Sequence, residues 1–170
     1  MLDAGVSIIE ESMMATEAFL KARSGWNAVI NADAAIREAT ALAEEMSKEN
    51  ILASQAKGNE ALAFLEEAQQ DFSQAEAAYP GLDLSAFKAY VAKRIESQQA
   101  ALAADEAYLS RNKEELEAQN SRYNALEEEA AALAQKLGED DPEQIVALRF
   151  YEEIEADQGA YEAERLKAGN

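Results

Sequence analysis

The chain has 170 residues, with 34 acidic and 15 basic side chains, a formal net charge of -19, and neither histidine nor cysteine. Such a negative chain repels the phosphate backbone of nucleic acids and anionic membrane surfaces, so neither is an expected partner. Without cysteine there is no disulfide scaffold or thiolate chemistry, and without histidine the usual general base is missing. Because acids occur in every segment, we interpret them as a solvated surface; the alternative is a docking surface for a basic partner.

The first predicted helix covers residues 3–23. Its larger apolar side chains recur at three- and four-residue steps and form one stripe, which consists of Val6, Ile9, Met13, Thr16 and Leu20. Ser24-Gly25 interrupts the pattern and predicts a turn. The alternative is a very long helix that continues through these two residues.

Two long helices are predicted next, over residues 26–79 and 84–137. Neither contains proline, and both repeat apolar residues every seven positions, which is typical of an antiparallel coiled-coil hairpin. At 1.5 Å per residue each arm would be about 80 Å long. The heptads slip between Met46 and Ile51, and we expect the helix to change its packing partners there.

Pro80-Gly81 separates the two long helices, because proline cannot continue a helix, and Asp83 suits the cap of the next one. Tyr79, Leu82 and Phe87 gather at this turn. They are predicted to close the hairpin. In the alternative, they form an exposed contact for a protein partner at the tip of a projecting arm.

One seam of the third predicted helix is polar. Its members are seven residues apart and consist of Gln98, Asp105, Asn112 and Gln119. Four polar residues in succession favour a solvated seam, and a polar groove that binds a ligand is the alternative.

The fourth predicted helix covers residues 142–167, with Asp141 as cap, Pro142 in the first turn and Gln144 completing a capping box. Tyr151 and Tyr161 on this helix are expected to pack against the bundle or to shield it. The pattern as a whole predicts an all-α, elongated antiparallel bundle forming a single domain over residues 1–170. Residues 1–50 and 105–167 would form its base, and residues 51–104 would form the hairpin arm.

No phosphate-binding loop, nucleophile motif or metal-ligand motif occurs, so no enzyme activity, metal or cofactor is predicted. The sequence favours a non-enzymatic helical interaction or spacer module that binds a protein partner or itself. A part of a secreted or surface-attached bacterial protein is the expected context, since cysteine is absent and no natural leader is visible. A bundle that binds a small ligand and a self-associating acidic scaffold are the alternatives.

Overall fold

A computed structural model describes the main chain of residues 2–169 and the side chains of residues 8–169. This part of the chain forms five helices and no strand: α1 (Leu2–Ala43), α2 (Lys48–Ala78), α3 (Ser85–Leu109), α4 (Lys113–Leu137) and α5 (Pro142–Ala168). The predicted all-α bundle is confirmed. Within residues 2–169, no helix combines the length and the apolar character that crossing a membrane requires.

Helix α1 continues through Ser24-Gly25, so the turn predicted there is wrong. Gly25 is buried where α1 crosses α2, and a Cβ atom at this position would lie 2.7 Å from the ring of Phe72. Nearby, the Ser24 hydroxyl donates a hydrogen bond of 2.7 Å to Asp71. The glycine therefore serves the close approach of two helices, and it does not mark a change of direction.

The first reversal of the chain lies at residues 44–47, where the heptads slip. Ser47 caps α2, and its Oγ accepts a hydrogen bond of 3.2 Å from the amide of Asn50. The predicted helix over residues 26–79 is therefore two antiparallel helices. Small residues of α1 face larger ones of α2 in a buried core that includes Ala18, Ala22, Ala32, Leu65 and Phe72.

The predicted helix over residues 84–137 is also interrupted, at residues 110–112. Arg111 has a φ angle of +56°, and the amides of Arg111 and Asn112 donate to the carbonyls of Tyr108 and Ala107 at 3.1 and 2.9 Å. This is the Schellman arrangement that commonly ends a helix, here with arginine where glycine is usual. The Tyr108 hydroxyl donates to the carbonyl of Met46 at 2.7 Å, so both turns lie at the same end.

Helices α1 to α4 form an up-down-up-down arrangement in which each helix packs against its neighbour in the chain. Arg94 of α3 links distant elements, since its guanidinium lies 3.0 Å from Asp33 on α1 and 3.8 Å from Glu127 on α4. Residues 51–104 therefore lie within the bundle and do not project as the predicted arm. The limits of a single domain over residues 1–170 stay a prediction.

Helix α5 begins as predicted, with Pro142 in its first turn and a capping box in which the Asp141 amide donates to Gln144 Oε1 at 2.7 Å. It packs against the first half of α1. Arg149 joins it to the turn after α2, donating two hydrogen bonds to the carbonyl of Pro80 at 2.7 and 3.2 Å. The α1–α5 pair therefore adjoins the end of the four-helix part (helices α1 to α4) that contains the turn at Pro80.

Candidate functional site

The aromatic cluster at the turn after α2 is part of the core. Tyr79, Leu82 and Phe87 are only 2, 6 and 4 % exposed. The Phe87 ring packs edge-on against Trp26, with centroids 5.7 Å apart. The Arg149 guanidinium covers the ring of Tyr79 at 5.0 Å. These residues close the turn, and they do not present the exposed contact surface that a projecting tip would offer.

The predicted polar seam is divided by the turn at residues 110–112, because the heptad spacing is lost where the chain reverses. Asn112 is exposed and caps α4, where its side-chain oxygen accepts from the amide of Glu115 at 3.1 Å. Gln119 donates to Glu115 within the same helix at 2.7 Å. Only Gln98 and Asp105, both on α3, face a common space.

That space is a cavity of about 190 Å³ between the four helices α1 to α4. Gln98 lines it and is 2 % exposed, and its side chain makes no hydrogen bond to any residue that the structure describes. The nitrogen and oxygen of this amide are not among the buried polar atoms that lack a partner, so they remain accessible from the cavity. The other lining residues are Ile36, Ala39, Thr40, Ala43, Ser54, Gly58, Ala101, Leu102, Asp105 and Tyr123.

Asp105 is the acid of this cavity. Burial raises its pKa from 3.8 to about 6, and the hydroxyl of Ser54, which donates to Asp105 at 3.3 Å, opposes the rise. At neutral pH the cavity therefore presents a carboxylate beside an unpaired amide. The space is smaller than the roughly 300–1,000 Å³ of ordinary ligand pockets, so it suits only a small polar molecule.

A larger feature lies on the first half of α1. The stripe predicted from the sequence is exposed, with Ile9 62 %, Met13 69 % and Leu20 59 % accessible to solvent. The side chain of Val6, which was assigned to the same stripe, lies outside the described residues. The face of α1 that packs against the bundle carries alanines instead, among them Ala15, Ala18 and Ala22.

Helix α5 extends this exposed apolar area. Leu148 is 51 %, Tyr151 is 62 % and Tyr161 is 45 % exposed, so neither tyrosine packs into the core, although Tyr151 lines a groove beside α1. A groove of about 200 Å³ runs between the two helices and is lined by Ser12, Ala15, Thr16, Phe19, Leu20, Val146, Ala147, Phe150 and Tyr151. We call the exposed side chains Ile9, Met13, Leu20, Leu148 and Tyr151 the α1–α5 apolar surface.

Exposed acids border this surface on both helices. With 3.6 residues per turn, Glu10 and Glu17 follow the outer edge of the α1 stripe, and Glu152 lies at the outer edge of α5. Glu155 follows Tyr151 on the same exposed face of α5. The sequence pattern predicted the stripe on α1, but it did not predict that the stripe is exposed. Two stripes compete on that helix, one of large side chains and one of alanines, and hydrophobicity alone favours burying the large ones.

Comparisons with protein-family models, with curated proteins and with solved structures found no significant similarity to this chain.

Proposed function

We propose that this protein is a non-enzymatic interaction module that binds an amphipathic helix of a partner protein through the α1–α5 apolar surface. The observation that carries the proposal is the alignment of large, exposed apolar side chains on two adjacent helices beside an open groove. Exposed apolar patches of this kind mark interaction sites, since burying them against a partner releases free energy.

The groove suggests a helix as occupant. A third helix laid along two packed helices inserts side chains at i, i+3, i+4 and i+7 between them, which is the common helix-in-groove mode of recognition. The acids along both edges select a partner helix whose apolar face is bordered by lysine or arginine. The chain's own charge of -19 disfavours a second copy as the occupant.

A synthetic peptide tests this proposal. It carries leucine at heptad positions a and d and lysine at e and g, and its affinity for the full chain is measured by isothermal titration calorimetry. We expect Met13→Gln and Tyr151→Gln each to weaken binding by about tenfold, the loss typical of a residue that contributes strongly to an interface.

Two controls separate docking from general attraction of a basic peptide to an acidic protein. Ile30→Gln replaces another exposed apolar residue of α1, which is 51 % accessible and lies outside this surface. It should leave the affinity unchanged. A peptide that keeps its lysines but has serine for leucine should not bind. Equal affinity for Met13→Gln and Ile30→Gln, or dimerisation of the chain through Met13 in sedimentation, would refute the proposed partner.

A bundle that binds a small polar ligand is the second candidate, and the cavity that Gln98 and Asp105 both line favours it. The carboxylate of Asp105 gives the cavity a preference for amines. Saturation-transfer NMR with small aliphatic amines and the matching alcohols should detect the amines alone, and Gln98→Leu should abolish the signal. Binding of neither class, or binding that Gln98→Leu leaves intact, would remove this candidate.

A further inference from the structure

Three carboxyl groups meet on the other side of the α1–α5 pair. Oxygen atoms of Glu11, Glu153 and Asp157 lie within 4.8 Å of one another, and the three side chains are half-buried. The helical period places Glu11 on the side of α1 opposite to Ile9 and Met13. The acidic cluster is therefore separate from the apolar surface, although both join the same two helices.

The neighbouring positive charge balances this cluster only in part. Arg149 Nη1 lies 2.9 Å from Glu153, and the other nitrogens of the guanidinium donate to the carbonyl of Pro80. Glu11 Oε2 and Asp157 Oδ2 are buried and have no hydrogen-bond partner among the described residues. Burial raises the pKa of Glu11, the charges of Asp157 and Glu153 and the close approach of the Asp157 carboxyl group raise it further, and Arg149 opposes the rise.

Tyr79 supplies an independent indication of a ligand. Its side chain is 2 % exposed, and its hydroxyl is buried without a hydrogen-bond partner in the part of the chain that the structure describes. The Arg149 guanidinium lies over the Tyr79 ring at 5.0 Å and pairs with Glu153, so this phenol lies beside the acidic cluster. Burial raises its pKa, the charges of Glu11, Glu153 and Asp157 add to the rise, and Arg149 opposes it. Buried polar atoms are normally satisfied by protein, water or an ion.

We propose that Glu11, Glu153 and Asp157 bind a Ca²⁺ ion, with the Tyr79 hydroxyl hydrogen-bonded to a water on the ion. Carboxylate oxygens are the ligands of hard divalent cations. Ligands on opposite sides of Ca²⁺ are about 4.6–5.2 Å apart, because each bond is about 2.3–2.6 Å long. Three oxygens within 4.8 Å of one another fit around that ion. Mg²⁺ demands near-ideal octahedral geometry and gives up its waters reluctantly, so we expect it to bind three half-buried carboxylates more weakly.

Such an ion would connect α1, which contributes Glu11, to α5, which contributes the other two ligands. It would hold together a pair of helices whose interface is partly open to solvent. This inference does not depend on the helix-binding function, because the two sites occupy opposite sides of the pair.

Calorimetric titration of the metal-free full chain with CaCl₂ at fixed ionic strength tests the site. We expect one ion per chain, weaker binding of Mg²⁺, and a thermal unfolding temperature that rises with Ca²⁺ concentration. Asp157→Asn should weaken Ca²⁺ binding at least about tenfold, a loss typical of an altered metal site. The matched control is Glu155→Gln, which removes the same charge from an exposed position of α5 and should change the affinity less than about twofold.

Terbium gives a readout that depends on position, because a nearby tyrosine sensitises the luminescence of this Ca²⁺ substitute. Excitation of tyrosine should yield Tb³⁺ emission, and Tyr79→Phe should abolish most of it while the chain remains folded. The proposal is overturned if Asp157→Asn and Glu155→Gln bind Ca²⁺ equally, since that result indicates diffuse attraction to the acids. It is also overturned if Ca²⁺ does not change the unfolding temperature, or if emission persists in Tyr79→Phe.

Discussion

The four-helix part and the α1–α5 pair are built from similar alanine-rich sequence, but they bury it differently. In the four-helix part, alanines of α1 allow α2 to approach closely, and Leu65 and Phe72 are fully buried. In the α1–α5 pair, alanines again occupy the packed face of α1, but no described helix covers the opposite faces, where Met13 and Tyr151 remain exposed. The number of neighbouring helices thus determines which region is a finished core and which is available to a partner.

The largest difference in unfolding free energy between the two regions is expected when one phenylalanine in each region is replaced by alanine. Phe72→Ala removes a fully buried ring and should lower the free energy of unfolding by about 3–5 kcal/mol. Phe150→Ala removes a half-buried ring of α5 and should cost about 1–2 kcal/mol, because less apolar area is lost. Urea unfolding followed by circular dichroism measures both. Equal losses would show that the α1–α5 pair is packed as tightly as the bundle.

Two glycines sharpen the comparison, because both lie inside helices and alanine is the better helix former at each. Gly25→Ala would place a methyl group 2.7 Å from Phe72 and should destabilise the protein by about 1–3 kcal/mol. At Gly159 of α5 a Cβ atom meets nothing within 4 Å, so Gly159→Ala should stabilise the helix by about 0.5–1 kcal/mol. Unfolding curves that shift in the same direction would contradict the contrast in packing.

A small effect that depends on pH is predicted for a charged group inside the bundle. The native state holds the proton of Asp105 more tightly than the unfolded state does, since its pKa is raised from 3.8 to about 6. This group therefore adds stability as the pH falls from above 6 towards 4, and it costs stability at pH 7.

Asp105→Asn should stabilise the protein by about 1 kcal/mol at pH 7, a value reduced because the group is only half-buried, and by almost nothing at pH 4. NMR titration of the wild-type carboxyl gives the direct check. A midpoint near 3.8 would show that Asp105 is solvated and that the cavity is open to water.

The sequence predicted the helical class, the turn at Pro80-Gly81 and the start of α5, where proline, glycine or a capping pattern carries a local signal. It failed at residues 110–112, because Arg111 adopts a backbone conformation that is usually taken by glycine. It also failed at Gly25, where the glycine serves a contact with Phe72 that lies 47 residues further along the chain. Such contacts between distant residues have no local signature.

The candidate sites show the same contrast between local signals, which the sequence reveals, and contacts between distant residues, which it does not. Gln98 and Asp105 were identified by their spacing within one helix, and they do share a cavity. Asn112 and Gln119 were grouped with them only because the turn was missed. The cluster of Glu11, Glu153 and Asp157 unites residues from opposite ends of a very acidic chain, where every segment offers similar acids. Only the packing of α5 on α1 distinguishes these three.

That packing also has a consequence for the order of folding. The contacts among α1 to α4 join consecutive helices across short turns, so the bundle can assemble one hairpin after another at a low entropic cost. The contact between α1 and α5 joins helices that are separated by three others. We therefore expect α5 to dock last and to detach first, leaving a partly opened molecule in which the four-helix part stays intact.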